Sequence, residues 1–240
     1  MVVNITAARA LLYRTCALSD MTEAIRAHLA SERGAANPDR AVLQQEVEHN
    51  TQLIRFFTPL CKYYATEISN DVTRKGIQVH GGIGFMAESP AAHYHSDSII
   101  TTIYEGTSEI QASFALKEMS KGALFSALDQ IHDEIEPLRS QYPELVGQVS
   151  EAINKWINQS LTALMVDSQY ALLNAKRVCE MVIDVLVAAE LLLQAGMSDV
   201  KKLLATTFIN RRMLTVETNA RRISAGDASR IKRHDRILEL

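Results

Sequence analysis

From Leu43 to Val79, apolar side chains return at steps of three, four and seven: Leu43, Val47, Ile54, Phe57, Cys61, Tyr64, Ile68, Val72 and Val79. That spacing is the repeat of one helical face, and a helix of this length spans roughly 55 Å. Pro59 sits inside the run and cannot donate to the carbonyl of Arg55, so a kink or local break is expected there. Gly76, Gly81, Gly82 and Gly84 then end the run. Serial glycines permit positive φ and let backbone amides face a ligand.

Residues 1–32 carry the same period in Ile5, Ala8, Leu12, Leu18, Ile25 and Leu29, and Arg33-Gly34 through Asn37-Pro38 supplies a stop, a loop and a restart. Pro90 is placed as the first residue of a short helix running toward Ile99. Tyr104-Glu105-Gly106 forms a second turn. Ser108 and Gln111 have capping-box spacing, so a helix is expected from about residue 108 to 120. Gly122 marks a boundary between two domains, 1–122 and 123–240. Beyond it, Leu124, Leu128, Ile131, Ile135 and Leu138 form the stripe of a bundle helix. Pro137, Pro143 and Gly147 punctuate, and apolar-periodic runs follow at about 149–166 and 169–195. Gly196, with Ser198 as N-cap, introduces a last helix to about Ala225. The charged stretch 226–240 is expected to fray. No run reads as a strand, and the expected fold class is all-α.

Composition supports this where it bears on the argument. Proline (5) and glycine (10) are scarce and aromatics are 6%, which favours helices. At 240 residues the chain can bury a sizeable core in one or two domains. Residues 200–240 hold 10 Lys+Arg against 4 Asp+Glu, so in a chain of net charge −3 the remainder carries −9. The overall balance gives no pull toward nucleic acid. The basic last helix, with Arg211, Arg212, Arg221 and Arg222, could meet phosphate or acidic lipid, or pack against the acidic remainder or a partner subunit. Cys16, Cys61 and Cys179 make neither a metal pattern nor a disulfide framework, which fits a reducing compartment. No secretory signal and no membrane span are visible, so a cytoplasmic protein is expected. His93 and His95 lack a third ligand and, two apart on a helix, do not share a face, so no metal site is expected. Trp156 and the methionines read as core.

Five of the ten glycines fall between residues 76 and 106, where Glu105 sits on a turn between helical segments. Taken alone, Glu105 is an exposed turn carboxylate, and Gly81-Gly82 a helix C-cap and turn. The motifs around them say more. Gln78-Val-His-Gly-Gly-Ile-Gly-Phe85, Glu88-Ser-Pro90, Asp97 and Ile103-Tyr-Glu-Gly-Thr-Ser-Glu-Ile-Gln111 resemble, in order and spacing, the C-terminal helical domain of acyl-CoA dehydrogenases. The part beyond Gly122 is similar to the extra C-terminal helical domain of the longer, methylthiopropionyl-CoA dehydrogenase-like bacterial branch. The resemblance implies one helical bundle followed by an appended second one.

It also implies chemistry. FAD is the implied cofactor and an acyl-CoA thioester the substrate. Glu105 matches the base that removes the α-proton while the β-hydrogen leaves as hydride to flavin. Such a base has a pKa tuned by burial beside flavin and thioester. The amide of the same residue helps polarise the thioester carbonyl. Gln78, Gly81 and Gly82 match positions that contact the adenosine portion of flavin from a neighbouring subunit. Thr107 and Glu109 match further flavin contacts, and Tyr104 and Gly106 flank the base on the substrate side. A homodimer or tetramer is implied. The stretch His93-Tyr-His-Ser-Asp97-Ser-Ile-Ile departs from the family in carrying no arginine. The family's N-terminal helical and β-barrel domains precede the region matched here. The chain is therefore expected to act only with those domains, supplied by a separate chain or a longer parent. The alternative is a non-catalytic helical oligomerisation or interaction module of the same ancestry.

Overall fold

The computed structural model describes residues 1–238, and among them every regular element is helical, as expected for an all-α chain. The elements that matter below are α1 (Val2–Ala30), α2 (Arg40–His80), α3 (Pro90–Thr101), α4 (Ser108–Met119) and α5 (Ala123–Ile135). They are followed by α6 (Pro143–Glu151), α7 (Asn158–Leu164), α8 (Ala175–Leu193) and α9 (Asp199–Ser224).

α2 runs 41 residues without a break, about 60 Å. Of the kink or local break expected at Pro59, the break does not occur. The proline is buried, and one position earlier Thr58 Oγ1 donates to Ile54 O at 2.7 Å. α1 folds back along α2 as an antiparallel pair. Asn4 Nδ2 reaches Asp71 at 3.3 Å near one end, and Arg26 Nη2 reaches Thr51 Oγ1 at 2.7 Å near the other. The face α1 buries differs from the expected one. Asn4, Ala7, Ala10, Leu11, Thr15 and Thr22 point inward, whereas Leu12 is exposed. Small side chains let two backbones approach closely, so packing selected the alanine and threonine face over the larger apolar one.

α8 is the centre of the molecule. From Val178 to Leu192 it is buried on nearly all sides, with only Glu180 and Glu190 half-buried, which makes it the core helix. It packs against α1 and α4 on one side and α9 on the other. Polar links tie it to the first half of the chain. Glu180 accepts from Tyr63 Oη at 2.8 Å, Cys179 Sγ donates to Ala112 O at 3.5 Å, and Arg14 bridges Glu134, at 2.7 Å, and Glu190. One buried apolar cluster thus runs from Ala7 to Ile223 across the glycine at 122, whose φ is 97°.

The stripe Leu124, Leu128, Ile131 and Ile135 on α5 is buried as the period requires. α6 continues into α7 through a wider π turn, Ala152–Ile157. There Trp156 lies half-buried beneath Lys155 Nζ, 4.1 Å from the ring centre. Met119, Met181 and Met213 join the core, but Met86, Met165 and Met197 are exposed, against the expectation for methionine. Ser198 caps α9 by accepting from Lys201 N at 3.3 Å. Beyond α9 the chain forms two short helical turns, Ser229–Lys232 and His234–Leu238, within the stretch 226–240 expected to fray, of which the last two residues lie outside those described. No described helix is long and apolar enough to cross a membrane.

Candidate active site

α3 lies along the second half of α2. Asn70 Nδ2 donates to Ser98 O at 2.9 Å, and Thr73 Oγ1 meets His95 Nδ1 at 3.0 Å and Ser98 Oγ at 2.9 Å. One end of α3 starts beside the end of α2, where Ser89 accepts from Ala91 N at 3.3 Å and Pro90 takes the first helical position. The other end leads into the turn that carries Glu105.

That turn is held from two sides. Lys62 Nζ, on α2, donates to Gly106 O at 2.7 Å and lies 5.4 Å from the centre of the Tyr104 ring. Gln111 Nε2, on α4, donates to Glu105 O at 2.8 Å, and Ser108 N closes the loop onto Thr102 O at 3.2 Å. Glu105 itself has φ 53°, the one non-glycine residue with positive φ among those described, and Gly106 follows at φ 102°. A Cβ at Gly106 would come within 2.8 Å of Gln111 Nε2. The Glu105 carboxylate is exposed, and no acceptor among the described residues engages its amide.

The cap of α4 is shifted by one residue from expectation. Thr107 is the N-cap, accepting from Ile110 N at 3.4 Å. Ser108 is already helical and donates instead to Glu67 Oε1 at 2.6 Å. Gln111, expected to reach back to the cap amide, spends its side chain on the Glu105 carbonyl. Glu109 is exposed and pairs with Lys176 at 3.4 Å. Lys62 was not legible as a site residue. Its single signal is a lysine set between the buried Leu60 and Tyr63.

The glycine turn lies at the far end of α3. Gly81 has φ 61° and ψ −142°, open only to glycine, and a Cβ on Gly81 or Gly82 would touch nothing within 4 Å. Packing therefore does not demand glycine at Gly82; the Gly81 amide closes the end of α2 by donating to Gln78 O at 3.2 Å, and the Gln78 side chain is exposed. The free space over Gly81 and Gly82 leaves room for a ligand to approach the backbone. The surroundings are apolar and open, with Val79, Ile83, Phe85 and Met86 exposed, Phe85 at 81%. A cleft of about 650 Å³ runs beside the turn, lined by Val72, Gly76, Ile83, Pro90 and Tyr94. Lys62 and His80 are 18 residues apart on α2, a rise of about 27 Å along its axis, so the two turns lie against different parts of that helix. Glu105, Tyr104, Gly106, Thr107 and Glu109 are brought together; Gln78, Gly81 and Gly82 form a separate group. His93 bonds Ala87 O at 2.6 Å, and no cluster of three His, Cys, Asp or Glu suited to a metal occurs among the described residues.

Known proteins resemble this chain in sequence or fold. Residues 23–120 match the family model described as acyl-CoA dehydrogenase, C-terminal domain. Over 61 residues the chain is 43% identical to 3-methylmercaptopropionyl-CoA dehydrogenase of Ruegeria pomeroyi, a stretch that is 25% of this chain and 10% of that protein. Caenorhabditis elegans ACDH-11, solved in complex with C11-CoA, matches over 89% of this chain and 34% of its own, with TM-score 0.65 and 19% identity. An acyl-CoA dehydrogenase from Bacillus anthracis, complexed with FAD, matches over 92% of this chain and 40% of its own, with TM-score 0.63 and 20% identity. The chain thus spans well under half the length of either solved protein, and at these identities the likeness is one of fold. The latched turn, the glycine turn and the helix between them all lie within the matched stretch, so residues 23–120 of this chain are an acyl-CoA dehydrogenase C-terminal domain.

Proposed function

We propose that the chain is the C-terminal portion of an FAD-dependent acyl-CoA dehydrogenase, with Glu105 as the base that takes the α-proton of an acyl-CoA thioester. The carrying observation is the left-handed Glu105, fixed through its own carbonyl and that of Gly106 by Gln111 and Lys62. Strained backbone of this kind persists only where surrounding contacts over-determine it, and it concentrates at functional sites. The latch engages carbonyls and leaves the carboxylate and the Glu105 amide available, one to accept a proton and the other to donate to a thioester carbonyl. Bound FAD supplies the hydride acceptor. Thr107 and Glu109 stand on the same turn, with Tyr104 and Gly106 flanking the base toward substrate.

The exposure of Glu105 bears on how the site is completed. A carboxylate working as a base near neutral pH needs desolvation, and here solvent reaches it. The covering surface would come from N-terminal helical and β-barrel domains, on a longer parent or a separate chain. Gln78, Gly81 and Gly82, about 27 Å away along α2, would serve the site of a second protomer in a homodimer or tetramer. In this reading residues 1–122 carry the chemistry and 123–240 an appended bundle that supports it.

A second reading is a non-catalytic helical interaction module. The exposed apolar face around Val79, Ile83 and Phe85 favours it, because contiguous apolar surface of this kind marks a binding face. Flavin absorbance separates the two. The chain mixed with a polypeptide carrying the missing domains is expected to retain flavin and to bleach it with acyl-CoA, and Glu105→Gln is expected to keep the colour and lose the bleaching. A colourless mixture whose oligomeric state ignores Glu105→Gln would leave the module reading standing.

A further inference from the structure

The basic helix α9 leaves one arginine, Arg222, without a hydrogen-bonding partner among the described residues. Arg212 pairs with Asp184 and Arg221 with Glu217, each at 2.7 Å, while Arg211 donates to Asn4 Oδ1 at 3.4 Å. Arg222 makes no ion pair or hydrogen bond among the described residues. It lines a polar depression of about 290 Å³ together with Arg177, from the first turn of α8, and Arg230, from the short helix Ser229–Lys232. Three guanidinium groups on three elements face one concavity, and Asp227 is the single carboxylate among its lining residues.

Helix dipoles do not account for this. A cation in the last turn of α9 is favourable, which covers Arg222 alone. Arg177 stands at the opposite kind of end, where a cation is disfavoured. It is nevertheless held there. Asn174, itself 2% exposed, accepts from Arg177 Nη1 at 2.8 Å and fixes its own amide by donating to Tyr170 O at 3.0 Å. Tyr170 Oη donates to Ile223 O at 2.7 Å, which pins this floor to the end of α9. Asp227 is occupied as well. It accepts from Ser229 N at 2.9 Å, and that bond with the nearby Arg233 and Arg230 holds its carboxyl below the usual range.

We infer that the depression formed by Arg177, Arg222 and Arg230 is a binding site for a phosphoryl anion, presented by a small soluble phosphomonoester. Arginine forks match phosphate oxygens in pairs, and like charges converging on a polar concavity raise the local concentration of a dianion. The volume lies just below the range of pockets that enclose a drug-sized ligand, which suits a phosphate group on a small carrier. The site stands apart from the Glu105 turn and does not depend on the dehydrogenase reading.

Calorimetric titration of the full chain with inorganic phosphate tests it, against chloride at matched ionic strength. Saturable binding is expected. Arg222→Gln and Arg177→Gln should each weaken it about tenfold or more, whereas Arg221→Gln, whose guanidinium is held by Glu217, should bind as the parent does. Arg230→Gln, on an exposed terminal turn, gives the same reading should Arg222→Gln fail to fold by circular dichroism. No saturable phosphate binding, or unchanged binding by the Arg222 and Arg177 variants, overturns the proposal. A co-sedimentation arm uses phosphatidylcholine vesicles with and without phosphatidic acid. Arg222-dependent retention on the phosphatidate vesicles without binding of free phosphate would move the anion to a lipid surface and overturn the soluble source.

Discussion

Glu105 holds a backbone conformation that costs a side-chain-bearing residue about 1–2 kcal/mol. Glu105→Gly is therefore expected to leave stability unchanged or raise it by up to about 1 kcal/mol in urea, the gain being offset by glycine's freedom in the unfolded chain. A clear loss would mean that the carboxylate serves the fold and not a ligand. Asp184 is the other residue under tension. It is wholly buried, takes Arg212 Nε on one oxygen and nothing on the other, and burial pushes its carboxyl up to about 7 despite Arg212. Glu180 adds to the rise, and Arg211 opposes it. Below its unfolded value of 3.8 both states are protonated and the group is neutral to stability. As pH rises toward about 7, the unfolded chain ionises first, so stability falls and then levels off. Urea midpoints at about pH 4.5 and about pH 7.5 should shift in favour of Asp184→Asn over the parent at the higher value, by on the order of a few kcal/mol. An unchanged difference would show the carboxyl to be ionised throughout.

Arg14 clamps α1 to two helices of the second half, bridging Glu134 and Glu190 with all three side chains mostly shielded. Arg14→Met leaves Glu190 without its cation and should cost about 2–4 kcal/mol in chemical denaturation, part of which Glu190→Gln recovers in the double variant. A cost under about 0.5 kcal/mol would class the bridge with ordinary surface pairs. Elements differ in how far their sequences announced them. The α5 stripe was legible because Leu124, Leu128, Ile131 and Ile135 are large, apolar and recur at steps of four, three and four. The inward face of α1 was not, because Ala7, Ala10 and Thr22 are small or polar and are chosen by close approach to α2. At the site, Glu105 and Gly106 were legible as neighbours within one motif. Lys62 reaches them from 44 positions earlier, a pairing that only the crossing of α2 and the turn creates. The cap at Thr107 was missed because Thr107 and Ser108 are both competent caps, and Glu67 decided between them by claiming the serine.

The buried cluster continues past Gly122, so the full chain is expected to unfold in one calorimetric transition, with the van't Hoff and calorimetric enthalpies equal. Two resolved transitions would show that the halves hold themselves up. The helix at the centre has a consequence for how the chain is made. α8 covers Tyr63 and Ala112, yet it lies more than 50 residues after the end of α4. At translation rates of about 5–20 residues per second, the first four helices wait roughly 4–15 s between completion of α4 and completion of α8. During that interval their inner faces have no cover, and a nascent chain in this state is an expected client of the cell's chaperones. Ribosome-bound chains halted after α7 should therefore be cut by protease within residues 1–122, and chains halted beyond α9 should resist. The helices made first thus depend on one that leaves the ribosome late.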